Sequence, residues 1–227
     1  MKQDLKIGEV AAIADCRQVR PAKPLGGLRK RIFDIGATMV LLVLFSPLLA
    51  LIALMVKLSD GGAVFYGHLR VGHNEKPFRC LKFRTMVPDS SAKLAAHLAA
   101  NPAALAEWTA TRKLKHDVRV TPVGRVLRKL SLDELPQLIN VLQGDMSLVG
   151  PRPIIGEEML LYGEYADSYL SSRPGLTGKW QVSGRSDTTY EERVSLDNSY
   201  VQNWTLSGDL WIILKTVPVV LFAKGAC

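Results

Sequence analysis

Cysteine is scarce. Cys16, Cys80 and Cys227 are three among 227 residues, too few and odd in number for a secreted disulfide framework, and they fit a reducing compartment. Also missing are H-E-x-x-H, Walker A, G-x-G-x-x-G and zinc-ligand spacings, so no common hydrolytic, nucleotide-loop or zinc chemistry is written in the chain. His68, His73, His97 and His116 are scattered without ligand spacing. The serines and cysteines lack a recognisable partner motif. There is no internal repeat and no clear linker. With 48% hydrophobic and 22% charged residues, a disordered chain, a collagen and a disulfide miniprotein are excluded.

Acidic residues are in deficit: 21 Asp/Glu face 29 Lys/Arg, a net charge of +8. The excess is uneven. Residues 1–31 hold eight Lys/Arg against Asp4, Glu9 and Asp15, a net +5 of that +8. A solvated tail is the plain reading. The alternative is an anionic lipid surface, where each such charge contributes about 1 kcal/mol, and the segment that follows favours it.

Charge is absent altogether from Ile35 to Val56, a run of 22 residues. A signal-peptide core would be about 7–15 residues, nearer the terminus and before a small-residue cleavage site. A buried helix of a soluble protein would be shorter. The run therefore meets lipid. A straight helix of this length spans about 30 Å, but Ser46-Pro47 falls in its middle. Pro47 offers no N–H to the carbonyl of Val43 and crowds it. The arms 35–45 and 48–56 each reach half-way, and a helix-break-helix could enter and leave by one face. Positive charge lies on both flanks, Arg29, Lys30 and Arg31 before and Lys57, Arg70, Lys76, Arg79, Lys82 and Arg84 after, which prefers the cytoplasmic side for both. Composition alone leaves a proline-kinked span equally open.

Beyond it, residues 63–71 and 77–84 read as strands joined by a hairpin loop, with Cys80, Lys82 and Arg84 on one face. Residues 90–100, a second segment from Pro102, 123–130, 133–142, 157–170 and 208–223 read as helices. The last is too short and mixed to span a membrane; it suits an interface or the core.

Chemistry concentrates at Asp133-Glu134. Ser131 and Glu134 fit a structural capping box. Pro136 favours a helix starting nearer Asp133, which would then sit at a positive helix end that keeps it ionised. An ionised carboxylate can attack phosphorus or hold a hard cation, and Arg125, Arg128, Lys129 and Arg152 supply compensating charge for a pyrophosphate. The residues alone leave cap and site both open.

These segments resemble a known family. KRIFD at 30–34, Ser46-Pro47, KFRTM at 82–86, DVRVTPVGRVLRKLSLDELPQLINVLQGDMSLVGPRP at 117–153, RPGLTG at 173–178, WQVSGRS at 180–186 and LDNSYVQNW at 196–204 are similar to bacterial monotopic phosphoglycosyl transferases, the polyprenyl-phosphate sugar-1-phosphate transferases. The resemblance implies an α+β, mostly helical catalytic domain with a small β-hairpin. It divides the chain into a basic tail at 1–28, a re-entrant membrane helix at 29–58 and a cytoplasmic transferase domain at 59–227. It implies that Asp133 is the nucleophile and that Glu134 holds Mg²⁺ with it. Lys82, Arg84, Arg125, Arg128, Arg152, Arg185 and Asp197 are placed by the substrate phosphates, and Arg31 and Asp34 where the re-entrant helix meets the headgroups. The implied reaction moves a hexose-1-phosphate, galactose-1-phosphate first and glucose-1-phosphate next, from a UDP-sugar to undecaprenyl phosphate, releasing UMP and starting exopolysaccharide synthesis. It implies residence at the cytoplasmic face of the bacterial inner membrane, with no nucleic-acid partner and with a homodimer or polysaccharide-assembly partners left open. Two other classes remain on the residues themselves: a membrane-bound anionic-polymer binder resting on the basic stretch Arg112–Arg128, and a non-catalytic scaffold. Lys179 stands where an apolar residue is expected.

Overall fold

The computed structural model describes residues 23–111, 114–184 and 188–221. Most of the expected basic tail, Arg185, Arg112, Cys16 and Cys227 lie outside the described residues.

The apolar run lies in one helix, α1, Gly27–Asp60, 34 residues long. The expected interruption between residues 45 and 48 is absent, and the reason is local. Pro47 deprives the Val43 carbonyl of its N–H, but the Ser46 hydroxyl donates to that same carbonyl at 2.8 Å. The polar group that proline would orphan is satisfied one residue away, so the helix continues through it.

Both ends of α1 are fastened to the same body. Near its start, Lys30, Asp34 and Thr38 are buried. Lys30 Nζ donates to Asp209 at 2.5 Å, and Asp209 also accepts from the Tyr200 hydroxyl and Trp204 Nε1. Asp34 accepts from Ser147 Oγ at 2.8 Å and from the Leu148 N–H at 3.1 Å. Arg31 donates to the carbonyls of Val141 and Leu142, at a helix C-terminus where a cation is favoured. Near its other end, Ile52 and Val56 pack on Phe83 and Leu127. The outward face is apolar and exposed, with Met39, Val40, Val43, Leu44, Leu51 and Leu54.

The hairpin follows: β1, Phe65–Val71, runs antiparallel to β2, Pro77–Phe83, with Tyr66 opposite Lys82 and His68 opposite Cys80. Helices α2, Ser90–Ala100, and α3, Pro102–Thr111, come next. Asn101 Oδ1 accepts from the N–H groups of Ala103 and Ala104, capping α3 with Pro102 at its first position. Helix α4, Pro122–Lys129, starts the same way, with Thr121 Oγ1 accepting from Gly124 N–H. A 3₁₀ turn over Leu132–Glu134 leads to α5, Gln137–Gln143.

The remainder departs from expectation in three places. A parallel pair, β3 (Ser147–Val149) and β4 (Gly175–Thr177), sits in the core; three-residue strands show no alternation to read. The segment 157–170 is two helices, α6 (Gly156–Tyr162) and α7 (Ala166–Leu170), divided at Gly163, whose φ is 51°. After α8, Lys179–Ser183, comes α9, Tyr190–Gln202, whose Thr189–Glu192 capping box starts it. The last helix, α10, is Leu206–Leu221. Part of it lies in the core, as expected: Asp209 and Ile212 are buried, while Leu210, Trp211, Leu214 and Val217 face outward.

The Lys30–Asp209 pair makes the attachment of α1 testable. Removing one partner of a buried pair typically costs about 3–5 kcal/mol. Lys30→Ala should lower stability by that order, read as thermal unfolding in detergent. An unchanged Tm would mean that the Lys30–Asp209 pair adds nothing to the attachment of α1.

Candidate active site

A cavity of about 700 Å³ opens between the hairpin, the end of α4, the 3₁₀ turn and helices α8 and α9. Its walls carry Arg70, Lys82, Arg84, Arg128, Arg152 and Arg193 against two carboxylates, Asp133 and Glu134. That imbalance suits an anionic ligand.

Each cation is positioned by a traceable contact. Lys82 lies on the hairpin face expected to offer cations, and its Nζ is 2.6 Å from Glu134 Oε1. Arg128 Nε donates to Thr85 Oγ1 at 2.9 Å. Helix α4 comes that close because residue 124 is glycine: a Cβ there would lie 2.2 Å from the Thr85 carbonyl oxygen. Arg84 pairs with Asp60 at the end of α1. Arg152 follows Gly150, whose N–H donates to the Thr177 carbonyl, and its guanidinium lies 5.4 Å from the Trp180 ring.

Asp133 is 9% exposed. Burial pushes its carboxyl up to about 6; Lys82 and Arg128 pull it down and Glu134 pushes it up. The expected cap and dipole arrangement is not what holds it. Ser131 caps nothing, since its backbone is left-handed (φ 55°) and makes no side-chain cap bond. Glu134 reaches across to Lys82 instead of back to residue 131. The α-helix begins only at Gln137, so Asp133 lies one 3₁₀ turn ahead of it. The left-handed serine stores about 1–3 kcal/mol of strain.

Other expected residues fall elsewhere. Arg125 is exposed on the outer side of α4 and does not line the cavity. Arg31, Asp34, Ser46 and Pro47 belong to α1 and its seam with the body. Asp197 lies beneath the cavity rather than on its wall: it is buried, accepts from the Tyr162 hydroxyl at 2.8 Å, and burial lifts its carboxyl to about 7 against the pull of that hydrogen bond and of Arg152 and Arg193. Lys179 donates to Ser199 Oγ at 2.7 Å, tying α8 to α9. In the basic stretch ending at Arg128, Arg119 is bound to Asp117 and lies over the Trp108 ring.

Sequence reasoning missed Tyr66, His68, Arg70, Trp180, Gln181 and Arg193, all on the cavity wall. The first three share a strand face with Lys82, so hairpin register could have found them. Nothing in the local pattern marks Arg193.

The bacterial sugar transferase family model matches residues 26–223. The chain belongs to this family. Its resemblance to the sugar-1-phosphate transferases is thereby borne out. Among relatives of the family, the exopolysaccharide production protein ExoY of Rhizobium meliloti is 57% identical over 204 residues, 90% of each chain. The undecaprenyl-phosphate galactose phosphotransferase of Salmonella typhimurium is 52% identical over 206 residues, 90% of this chain and 43% of that one. The UDP-glucose:undecaprenyl-phosphate glucose-1-phosphate transferase of Caulobacter vibrioides is 42% identical over 221 residues, 92% of this chain and 77% of that one.

Asp197 supplies a pH test. An unfolded chain loses its carboxyl proton near the ordinary 3.8, the folded one near 7. The native state then binds more protons than the unfolded state between these values, and stability falls as pH rises through them. Asp197→Asn should therefore raise Tm over the parent at pH 8, with the gain shrinking toward pH 4. A gain independent of pH would show that this carboxyl titrates normally.

Proposed function

We propose that this protein moves a hexose-1-phosphate from a UDP-sugar to undecaprenyl phosphate, releasing UMP, at the start of exopolysaccharide synthesis. The observation that carries the reading is Asp133: a buried carboxylate on the wall of a cation-rich cavity, under the pull of Lys82 and Arg128. The names of the relatives supply the substrate classes. Galactose is the first choice of sugar, since the relative named for galactose phosphate transfer shares 52% identity and the one named for glucose 42%.

In the proposed reaction the Asp133 carboxylate attacks the sugar-bearing phosphorus. The bond from that phosphorus to the bridging oxygen breaks, and UMP leaves with the electron pair. The sugar phosphate stays on Asp133 as an acyl phosphate. A phosphate oxygen of the lipid then attacks the same phosphorus, the bond to Asp133 breaks, and the carboxylate is restored. Anion attacks anion in both steps, so the work of the site is positioning and charge neutralisation. Arg128, held by Thr85, and Lys82 serve that purpose next to the nucleophile. A raised carboxyl also strengthens the nucleophile, because a more basic oxygen forms the better bond to phosphorus.

Mg²⁺ is part of the proposal. No group of three or more His, Cys, Asp or Glu gathers among the described residues, but Mg²⁺ commonly takes one or two carboxylates and completes its shell with water and substrate phosphates. Asp133 and Glu134 fit that demand and would hold it. Bound there, the ion would neutralise charge on the diphosphate.

The acceptor is a lipid, and α1 suits a shallow insertion from the cytoplasmic face of the inner membrane. Asp34 and Val56 are 22 residues apart, about 33 Å along a helix, yet both are buried against one body. A straight crossing of about 30 Å of hydrocarbon would separate them. Entry and exit by one face keeps both contacts, with Pro47 as the place where the helix bends.

Two experiments test this. Purified protein with Mg²⁺, UDP-galactose and undecaprenyl phosphate should release UMP, and Asp133→Asn should lower turnover by at least 10³-fold, on the order seen when a covalent nucleophile is removed. Wild-type turnover in the Asn variant would remove Asp133 from the chemistry, and a panel of UDP-sugars fixes the hexose. For topology, Leu28→Cys and Asp89→Cys, each in a background without the native cysteines, should both resist an impermeant maleimide in intact cells and both react in inverted vesicles. Reaction of one alone in intact cells would make α1 a span.

A further inference from the structure

The cavity holds two groups of cations. Lys82 and Arg128 act on Asp133. The other group gathers around Trp180, and only Arg152 in it was expected from the sequence.

Arg193 is its centre. It projects from α9 into the cavity. Its guanidinium lies 4.5 Å from the Trp180 ring and 5.1 Å from the Tyr190 ring. Arg152 lies over the same indole, at 5.4 Å. Among the described residues Arg193 has no carboxylate within ion-pair distance, and its Nε is buried without a hydrogen-bond partner. Glu191 and Glu192, which precede it on α9, are exposed, and Asp197, one turn on, is engaged by Tyr162. Arg70 completes the group from β1; it donates to the Pro153 carbonyl at 3.2 Å and faces Glu158 at 3.6 Å.

Stacking occupies the faces of a guanidinium and leaves its N–H edge free. Two guanidiniums on one indole repel each other, and a buried Nε without an acceptor carries a desolvation cost. Both costs are relieved by one tetrahedral oxyanion, which accepts from the edges of planar guanidiniums in pairs. A nucleoside diphosphate donor has two phosphorus centres one oxygen apart. With one of them at Asp133, its neighbour needs cations of its own.

We propose that Arg193, clamped between Trp180 and Tyr190 beside Arg152, is a binding residue for the nucleotide-side phosphate of the donor, the phosphate that departs in the nucleoside monophosphate. The proposal rests on the UDP-sugar reading of the site. It makes the Trp180–Arg193 pair a determinant of donor capture rather than of acceptor binding.

The test is titration calorimetry of the full chain in detergent with UMP, uridine and inorganic phosphate, for wild type, Arg193→Gln and Arg193→Lys. Arg193→Gln should weaken UMP binding roughly 10- to 100-fold, the worth of a charge-assisted hydrogen-bond pair. Arg193→Lys keeps the charge but loses the planar fork, so it should fall between. Uridine affinity should be the same in all three. In turnover the donor KM should rise and the acceptor KM stay put. Arg193→Lys with wild-type Tm guards against a folding artefact. Unchanged UMP affinity in both variants would overturn the proposal. So would a raised acceptor KM with UMP binding intact, which would give this seat to the lipid phosphate. Arg193-dependent UMP binding without UMP release from any UDP-sugar would leave the subsite standing and remove the transferase reading.

Discussion

The buried polar seam between α1 and the body is the constraint on which the site depends. Lys30 on Asp209, Arg31 on the Val141 and Leu142 carbonyls, and Asp34 on Ser147 and Leu148 fix an apolar helix by directional bonds. Apolar contact alone would not discriminate between protein and lipid, since hydrocarbon accepts the same side chains equally well. Each anchor also leads into the cavity. Arg31 holds the end of α5, and Asp133 and Glu134 precede that helix. Asp34 holds β3, whose continuation is Gly150, Pro151 and Arg152. Ile52 and Val56 pack on Leu127, one residue before Arg128, and on Phe83, one residue after Lys82. Asp60 takes Arg84. The long apolar helix is therefore the spine on which the cations are hung.

That arrangement explains how a carboxylate can be buried here. Desolvation raises Asp133, and without Lys82 and Arg128 the proton would be held more strongly still. The cations do not cancel the burial, so Asp133 keeps a raised carboxyl and a basic oxygen. Their own mutual repulsion remains. Arg70 is pushed below the ordinary arginine value by burial and by Arg152. The charge of the cavity wall thus favours an anionic ligand. Strain at Ser131 follows the same pattern: the left-handed turn lifts Asp133 out of the helix proper and points Glu134 toward the hairpin, which a regular capping box would not allow.

How much of this was legible depended on the range of the interaction. Turn and cap chemistry is local, so the hairpin at 65–83, the start of α4 at Pro122 and α2 with its stop at Asn101 were readable from spacing. Where a motif is compact its residues come together: Asp133, Glu134, Arg128, Arg152 and Lys82 line one cavity. Asp197 lies off the cavity wall, buried and bonded to Tyr162, because sequence does not show which face of α9 is turned inward. Arg193 was invisible. Its environment is built by Trp180 and Tyr190, which come from other turns of the chain, and an arginine after two glutamates on a helix looks like any solvated face. The parallel pair β3–β4 was invisible for a related reason: three buried residues carry no period.

Ser46-Pro47 shows how a local rule can be right in mechanism and wrong in outcome. Proline does remove the Val43 bond, and in water the freed carbonyl could turn to solvent. In hydrocarbon it has no such recourse, and each unsatisfied group there costs several kcal/mol. A serine immediately before the proline removes the penalty without breaking the helix. The pair is therefore accommodated in a continuous helix rather than forming a gap in it. A true break at this depth would have to be covered by protein or water. The outward face around residues 39–44 is apolar and uncovered by the body, so a continuous helix with the Val43 carbonyl satisfied is the form that suits an apolar neighbour there.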